Sequence, residues 1–117
     1  MSCLFNSLSY FLPLDSNQLR QEICNYLQEN KPIMEGLDTK MILNMERKNY
    51  IHHMRHNFTW GGAIEIQAAC NLYNVKIIVK DIRHQHGKNI EFIPLHKKME
   101  KEICITWNGG HYEPVKK

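Results

Sequence analysis

The apolar positions of this chain change period once, about two thirds of the way along it. Before Val75 they recur at three- and four-residue intervals, the spacing of one helix face. After it they form short β-branched runs. Leu4, Phe5, Leu8, Phe11 and Leu12 predict a first helix over Cys3–Leu12, stopped by Pro13. Asp15 and Gln18 stand at capping-box spacing. Leu19, Ile23, Tyr26 and Leu27 then form one face of a second helix, which ends near Asn30 before Pro32. Met41, Ile42 and Met45 predict a short third helix, and Tyr50, Ile51 and Met54 a fourth. Gly61-Gly62 breaks the chain before Ala63–Tyr73, which is apolar nearly all round and is expected to be buried on most sides.

Three strand-like runs follow: "VKIIVKDI", then "NIEFIPL" after a polar turn at His86-Gly87-Lys88-Asn89, then "EICITW". Asn108-Gly109 separates "ICITW" from "GHYEPV". Both residues tolerate positive φ, so the pair predicts an antiparallel hairpin closed by a type I′ turn. Helices first and strands later give an α+β domain, a small sheet with helices packed on it. At 117 residues the chain suits one domain over 1–117.

Composition narrows the class. Apolar residues make up 43% and charged ones 23%, and no apolar run approaches the roughly 18 residues of a membrane span. The start lacks a basic stretch followed by an apolar one, so it does not read as a signal peptide. A soluble cytoplasmic monomer is the expectation. The net charge of +3 comes from basic residues scattered along the chain, without the dense stripe of a nucleic-acid binder. Cys3, Cys24, Cys70 and Cys104 are far apart and show no C-x-x-C pair, so disulfides are not expected.

Cys3 needs a separate reason, because a thiol at the start of a helix has a chemical use. The unpaired N–H groups there favour the thiolate, and a nearby imidazolium lowers its pKa further. A cysteine nucleophile also needs a histidine base, usually distant in sequence. His52 and His56 have the i, i+4 spacing of a metal pair but lack a zinc protease's glutamate and a third ligand. With His53 they read as helix-face residues, and no metal is expected. His84, His86 and His96 have no neighbour that would orient them. His111 differs, because Glu113 two residues on shares its strand face. On spacing alone, a buried structural cysteine with an ordinary strand histidine stands beside the catalytic pair as a reading.

The segments "CLFNSLSY", "WGGAIEIQAACNLYNVKIIV" and "GGHYEPV", in that order, resemble the OTU (ovarian-tumour) family of papain-like cysteine proteases. In that family a D-G-x-C-L-F-x-S loop holds the nucleophile, W-G-G-x-x-E-[LI] opens a central helix, and a late H-Y-[DN] supplies the base and its orienting partner. The resemblance implies a papain-like OTU fold, a small central sheet packed between helices. It implies a thiol protease without cofactor that acts on ubiquitin or ubiquitin-like conjugates and needs no nucleic acid or membrane.

Carried over, Cys3 is the nucleophile, His111 the base and then acid, and Glu113 the orienting group, with the oxyanion held by the backbone of Ser2 and Cys3. Gly61 and Gly62 line the approach of a glycine tail or simply start a helix. Trp107, beside Asn108 at the hairpin, roofs that channel or belongs to the core. Glu65 caps its own helix or pairs locally. Three departures stand out: the Asp-Gly before the cysteine is missing, Asn6 replaces a common arginine, and Glu113 replaces Asp or Asn. So compact a version suits a virus or another economical genome. The alternatives are a catalytically weak or inactive ubiquitin-binding domain of this fold, and a viral protease that processes its own polyprotein.

Overall fold

Asp15 opens the second helix as its spacing predicts. Its carboxylate accepts the Gln18 N–H at 2.8 Å while the Gln18 side-chain oxygen accepts the Asp15 N–H at 3.2 Å. The computed structural model, which describes residues 2–57, 59–83, 87–95, 99 and 101–116, places five helices ahead of four strands. The helices are α1 (Cys3–Ser9), α2 (Ser16–Gln28), α3 (Thr39–Glu46), α4 (Tyr50–Met54) and α5 (Ala63–Tyr73). The strands are β1 (Val75–Asp81), β2 (Asn89–Phe92), β3 (Lys101–Trp107) and β4 (Tyr112–Pro114). His84, His86 of the expected polar turn, and His96 lie outside the described residues.

The sheet runs in the order β2-β1-β3-β4, with β1 and β3 parallel and both outer pairs antiparallel. In the parallel register Ile77 lies opposite Ile103 and Val79 opposite Ile105, so one face carries a continuous buried stripe. Helix α5 packs on β1 and β2, while α1 packs on β3 and β4, and α2 joins the two helices. Leu4, Phe5 and Leu8 of α1 thereby meet Ile23 and Leu27 of α2 in one core. Among the described residues no helix is long and apolar enough to cross a membrane.

Two expectations need correction. The regular part of α1 stops at Ser9, not Leu12. There the Ser9 hydroxyl donates to the Asn6 carbonyl, and Phe11 N–H takes the tighter bond to Leu8 O at 3.0 Å. The short third helix forms as expected, with Thr39 and Leu43 on its inner face and Met41 and Met45 64% and 84% exposed. Thr39 turns inward because its hydroxyl reaches the Lys31 carbonyl at 2.7 Å. The hairpin is not a two-residue type I′ turn either. Trp107 pairs with Tyr112, so 108–111 form a four-residue loop, and in it Gly109 (φ 103) has positive φ while Asn108 does not. Asn108 instead folds its side-chain oxygen onto the N–H groups of Gly110 and His111.

Gly61 lies against α1. A Cβ there would sit 2.7 Å from Leu4 Cδ2 and 3.1 Å from the Phe5 ring, whereas one at Gly62 would meet open space. Gly61→Ala is therefore expected to destabilise the fold by about 1–3 kcal/mol through overpacking, with Gly62→Ala changing it far less. Urea unfolding of both variants checks this; equal midpoints would contradict the close contact.

Candidate active site

Two chain segments distant in sequence build one cleft. Cys3, at the first position of α1, and His111, at the end of the 108–111 loop, both line it, with Asn6, Ser7, Tyr112 and Glu113 beside them. Its volume is about 540 Å³. Helix α1 presents Cys3 here because Leu4, Phe5 and Leu8 fix its rotation by entering the core, while Ser7 Oγ donates back to the Cys3 carbonyl at 2.8 Å. The thiol belongs to a residue only 9% exposed, at the boundary between core and cleft.

The His111 backbone is tied at both ends. Its N–H donates to Asn108 Oδ1 at 2.8 Å, and its carbonyl accepts the Asn108 N–H at 3.2 Å. The ring's Nε2 stands 3.5 Å from Glu113 Oε1, longer than the roughly 2.9 Å of a good N–H···O bond. Tyr112, between them, turns inward and stacks on Trp107 with ring centroids 6.4 Å apart. Burial first, and then negative charge at Cys3 and Glu65, pushes the Tyr112 hydroxyl above its ordinary pKa, so it stays a neutral neighbour of the thiol.

Gly61, Gly62, Trp107 and Asn108 are not among the residues that line this cleft. Gly61 packs on α1, and Gly62 borders a neighbouring groove with Trp60 and Tyr50. Trp107 is part of the core edge, with the Arg83 guanidinium 4.3 Å above its ring. Asn108 holds the His111 loop. Trp60, which the sequence reading passed over, is the tryptophan beside that loop. It is half exposed, and a Cβ on Gly110 would lie 3.9 Å from its ring. His52, His53 and His56 cluster elsewhere with edge-to-face rings, and Arg47 Nη2 lies 3.1 Å from His53 Nε2.

A buried polar group stands at the start of α5. Glu65 does cap its helix, accepting the Gly62 N–H at 2.8 Å, and it also accepts the Tyr50 hydroxyl at 2.6 Å. Burial raises the Glu65 pKa, and those two bonds and the Arg20 charge oppose the rise. Arg20 is itself 1% exposed. Its trace in the sequence is a charge on the apolar stripe of α2, at i−3 from Ile23 and i−7 from Leu27.

Comparison with known proteins decides the family. The sequence profile of the OTU-like cysteine proteases matches residues 2–113. The chain belongs to that family. The ovarian tumor domain-containing deubiquitinating enzyme 9 of Arabidopsis thaliana is 31% identical over 97% of the chain, and a ubiquitin thioesterase of Schizosaccharomyces pombe is 30% identical over 97%. The chain spans only 32% and 42% of these two relatives. A solved OTU domain in complex with ubiquitin superposes with a TM-score of 0.74 at 27% identity, covering 97% of this chain and 62% of that one. The α+β arrangement described above is thus the papain-like OTU fold, and the OTU segments "CLFNSLSY" and "GGHYEPV" are the ones that meet at the cleft.

Burial separates the thiols. It pushes Cys24 up to about 11 and Cys70 up to about 12, so at pH 7 about one in ten thousand or fewer of either is ionised. Brief iodoacetamide treatment of the folded protein at pH 7 should label Cys3 and spare Cys24 and Cys70. Labelling of those two should rise only as the pH approaches 11. Equal labelling of Cys3 and Cys70 at pH 7, read by mass mapping, would contradict this arrangement.

Proposed function

We propose that this chain hydrolyses the bond that follows the C-terminal glycine of ubiquitin or a ubiquitin-like modifier. Cys3 is the nucleophile, His111 the general base and then acid, and Glu113 the group that orients the ring. The observation that carries this reading is the convergence of Cys3 and His111 on one cleft, with Glu113 facing the far side of the imidazole. Relatives named as a deubiquitinating enzyme and a ubiquitin thioesterase, and a similar OTU domain in complex with ubiquitin, support the choice of modifier.

The chemistry follows from the roles. With Nε2 turned to Glu113, Nδ1 is the nitrogen left to take the thiol proton. The thiolate attacks the glycine carbonyl, and the C=O electrons move onto oxygen, for which the backbone N–H groups of Ser2 and Cys3 serve as the donors. Collapse of the tetrahedral species breaks the C–N bond, and the imidazolium hands its proton to the leaving lysine amine. His111 then takes a proton from water, the hydroxide oxygen attacks the thioester, and the glycine leaves as a carboxylic acid while the thiol is restored. No step calls for a metal or cofactor. Trp60, seated against Gly110, stands beside the His111 loop, and a tail of glycines reaches the thiol without a side chain to clash.

Ubiquitin carrying a thiol-reactive C-terminal warhead should form a covalent adduct at Cys3. Binding without an adduct would make the chain a ubiquitin-binding domain instead. On a fluorogenic ubiquitin C-terminal amide, Glu113→Ala should lower kcat/KM by about ten- to a thousand-fold, less than in a serine protease because a thiolate needs less help. Glu113→Asp should keep much of the activity and Glu113→Gln some, since an amide oxygen still accepts the ring proton. Full activity in Glu113→Ala, with folding checked by circular dichroism, would remove Glu113 from the mechanism.

A further inference from the structure

Ser2 occupies the N-cap of α1, where a serine hydroxyl ordinarily accepts an N–H from the first turn. Here it makes no such bond. It turns away, donates to the Asn57 carbonyl at 3.2 Å and accepts from Arg20 Nη2 at 3.3 Å. Arg20 comes from α2, and its other bonds run to the end of α4: Nη1 to the Met54 carbonyl at 2.7 Å, and Nη2 to the Asn57 carbonyl at 3.4 Å. The guanidinium plane also covers the Phe5 ring, 4.3 Å from its centroid. One buried cation therefore touches the residue before Cys3, the helix that carries Cys3, and the segment that leads to Trp60 and Gly61.

A guanidinium this deeply buried is costly to desolvate, and a methionine of similar volume would fill the place without that cost. What only arginine supplies is a rigid fork of donors. It uses that fork on two carbonyls and a hydroxyl that meet at the entry to α1. The Ser2 hydroxyl gives its donor to Asn57 and accepts from Arg20, and it takes no N–H of its own helix.

We infer that Arg20 is a positioning residue which, through the Ser2 hydroxyl, sets the orientation of the Ser2–Cys3 peptide toward the acyl oxygen. This inference rests on the hydrolase reading above. Donors to an oxyanion must stand within a few tenths of an ångström of their place, and a misplacement of about 1 Å costs on the order of 100-fold in rate. Arg20 touches no substrate, so its effect is indirect and shows only in the step that builds negative charge on oxygen.

The test uses Ser2→Ala, which cuts the link while leaving Arg20 and its carbonyl bonds in place, together with Ser2→Thr and Arg20→Lys. On ubiquitin with a fluorogenic C-terminal amide, Ser2→Ala should lower kcat about 5- to 50-fold with KM within about twofold, a fraction of the loss from deleting an oxyanion donor. Ser2→Thr, which keeps the hydroxyl, should restore most of kcat, and Arg20→Lys should lose at least as much as Ser2→Ala. Alkylation of Cys3 by iodoacetamide, a displacement that forms no oxyanion, should keep the parent rate in Ser2→Ala. A parental kcat in Ser2→Ala, or alkylation falling in step with kcat, overturns the inference while the hydrolase stands. A parent chain that alkylates at Cys3 yet never turns over overturns the hydrolase reading and this inference with it.

Discussion

Helix α1 is seven residues long, about half the length at which an isolated helix begins to hold its own shape. Its stability is therefore borrowed from what surrounds it. Five of its residues are buried, and only Asn6 faces fully outward. Leu4 and Phe5 are pressed by Gly61 from one side, Phe5 is covered by Arg20, and the helix lies along β4 and β3. This single constraint explains the order of the fold. The first element needs the last strand to bury it, and burying it against β4 is what brings Cys3 to His111. Packing and site are one arrangement here, so a substitution that loosens α1 acts on both.

The buried Arg20–Glu65 pair follows from the same demand. Burial pulls the Arg20 pKa down and pushes the Glu65 pKa up, and each charge partly offsets the shift of the other. Neither is left bare: Arg20 donates to carbonyls of the α4 exit, and Glu65 accepts from Gly62 and Tyr50. The Arg20–Met54 bond ties α2 to α4, the Tyr50–Glu65 bond ties α4 to α5, and the Gly62 bond caps α5. Asn57 and Gly62 lie outside any helix or strand, so side chains from α2 and α5 satisfy their backbone groups. A buried charge network is a poor source of net stability but a specific one, since only one arrangement satisfies every donor.

Most of the fold was legible in the sequence where a local rule acts alone. The capping box at Asp15, the break at Gly61-Gly62, the buried α5 and the β-branched runs each follow from one residue type in one place. The errors arise where two rules compete. At Asn108-Gly109 the short-turn signal loses to an asparagine side chain that prefers the N–H groups beyond it, which lengthens the loop. At the end of α1 the apolar stripe runs on to Leu12, yet the Ser9 hydroxyl takes the Asn6 carbonyl and the regular helix ends at Ser9. The pairing of Cys3 with His111 was reached through motif words, because no periodicity links residues at opposite ends of a chain. Arg20 was missed because a charge on an apolar stripe reads as a boundary residue until its partners are known.

The His111–Glu113 pair marks where order at the cleft comes from. The two side chains are 52% and 69% exposed and 3.5 Å apart, so water competes for both and the pair by itself holds the ring weakly. The backbone of His111, in contrast, is held at its N–H and its carbonyl by Asn108, and the next residue is anchored by stacking on Trp107, which also carries the Arg83 guanidinium over its ring. Arg83 is in turn fixed by a two-oxygen contact with Asp81 at the end of β1. The position of the proposed base is therefore set by the loop and the stack. What remains for a carboxylate is the choice of tautomer and the last few degrees of ring rotation. With that division of labour the ring keeps its place although Glu113, the proposed orienting group, is longer and freer than an aspartate or asparagine.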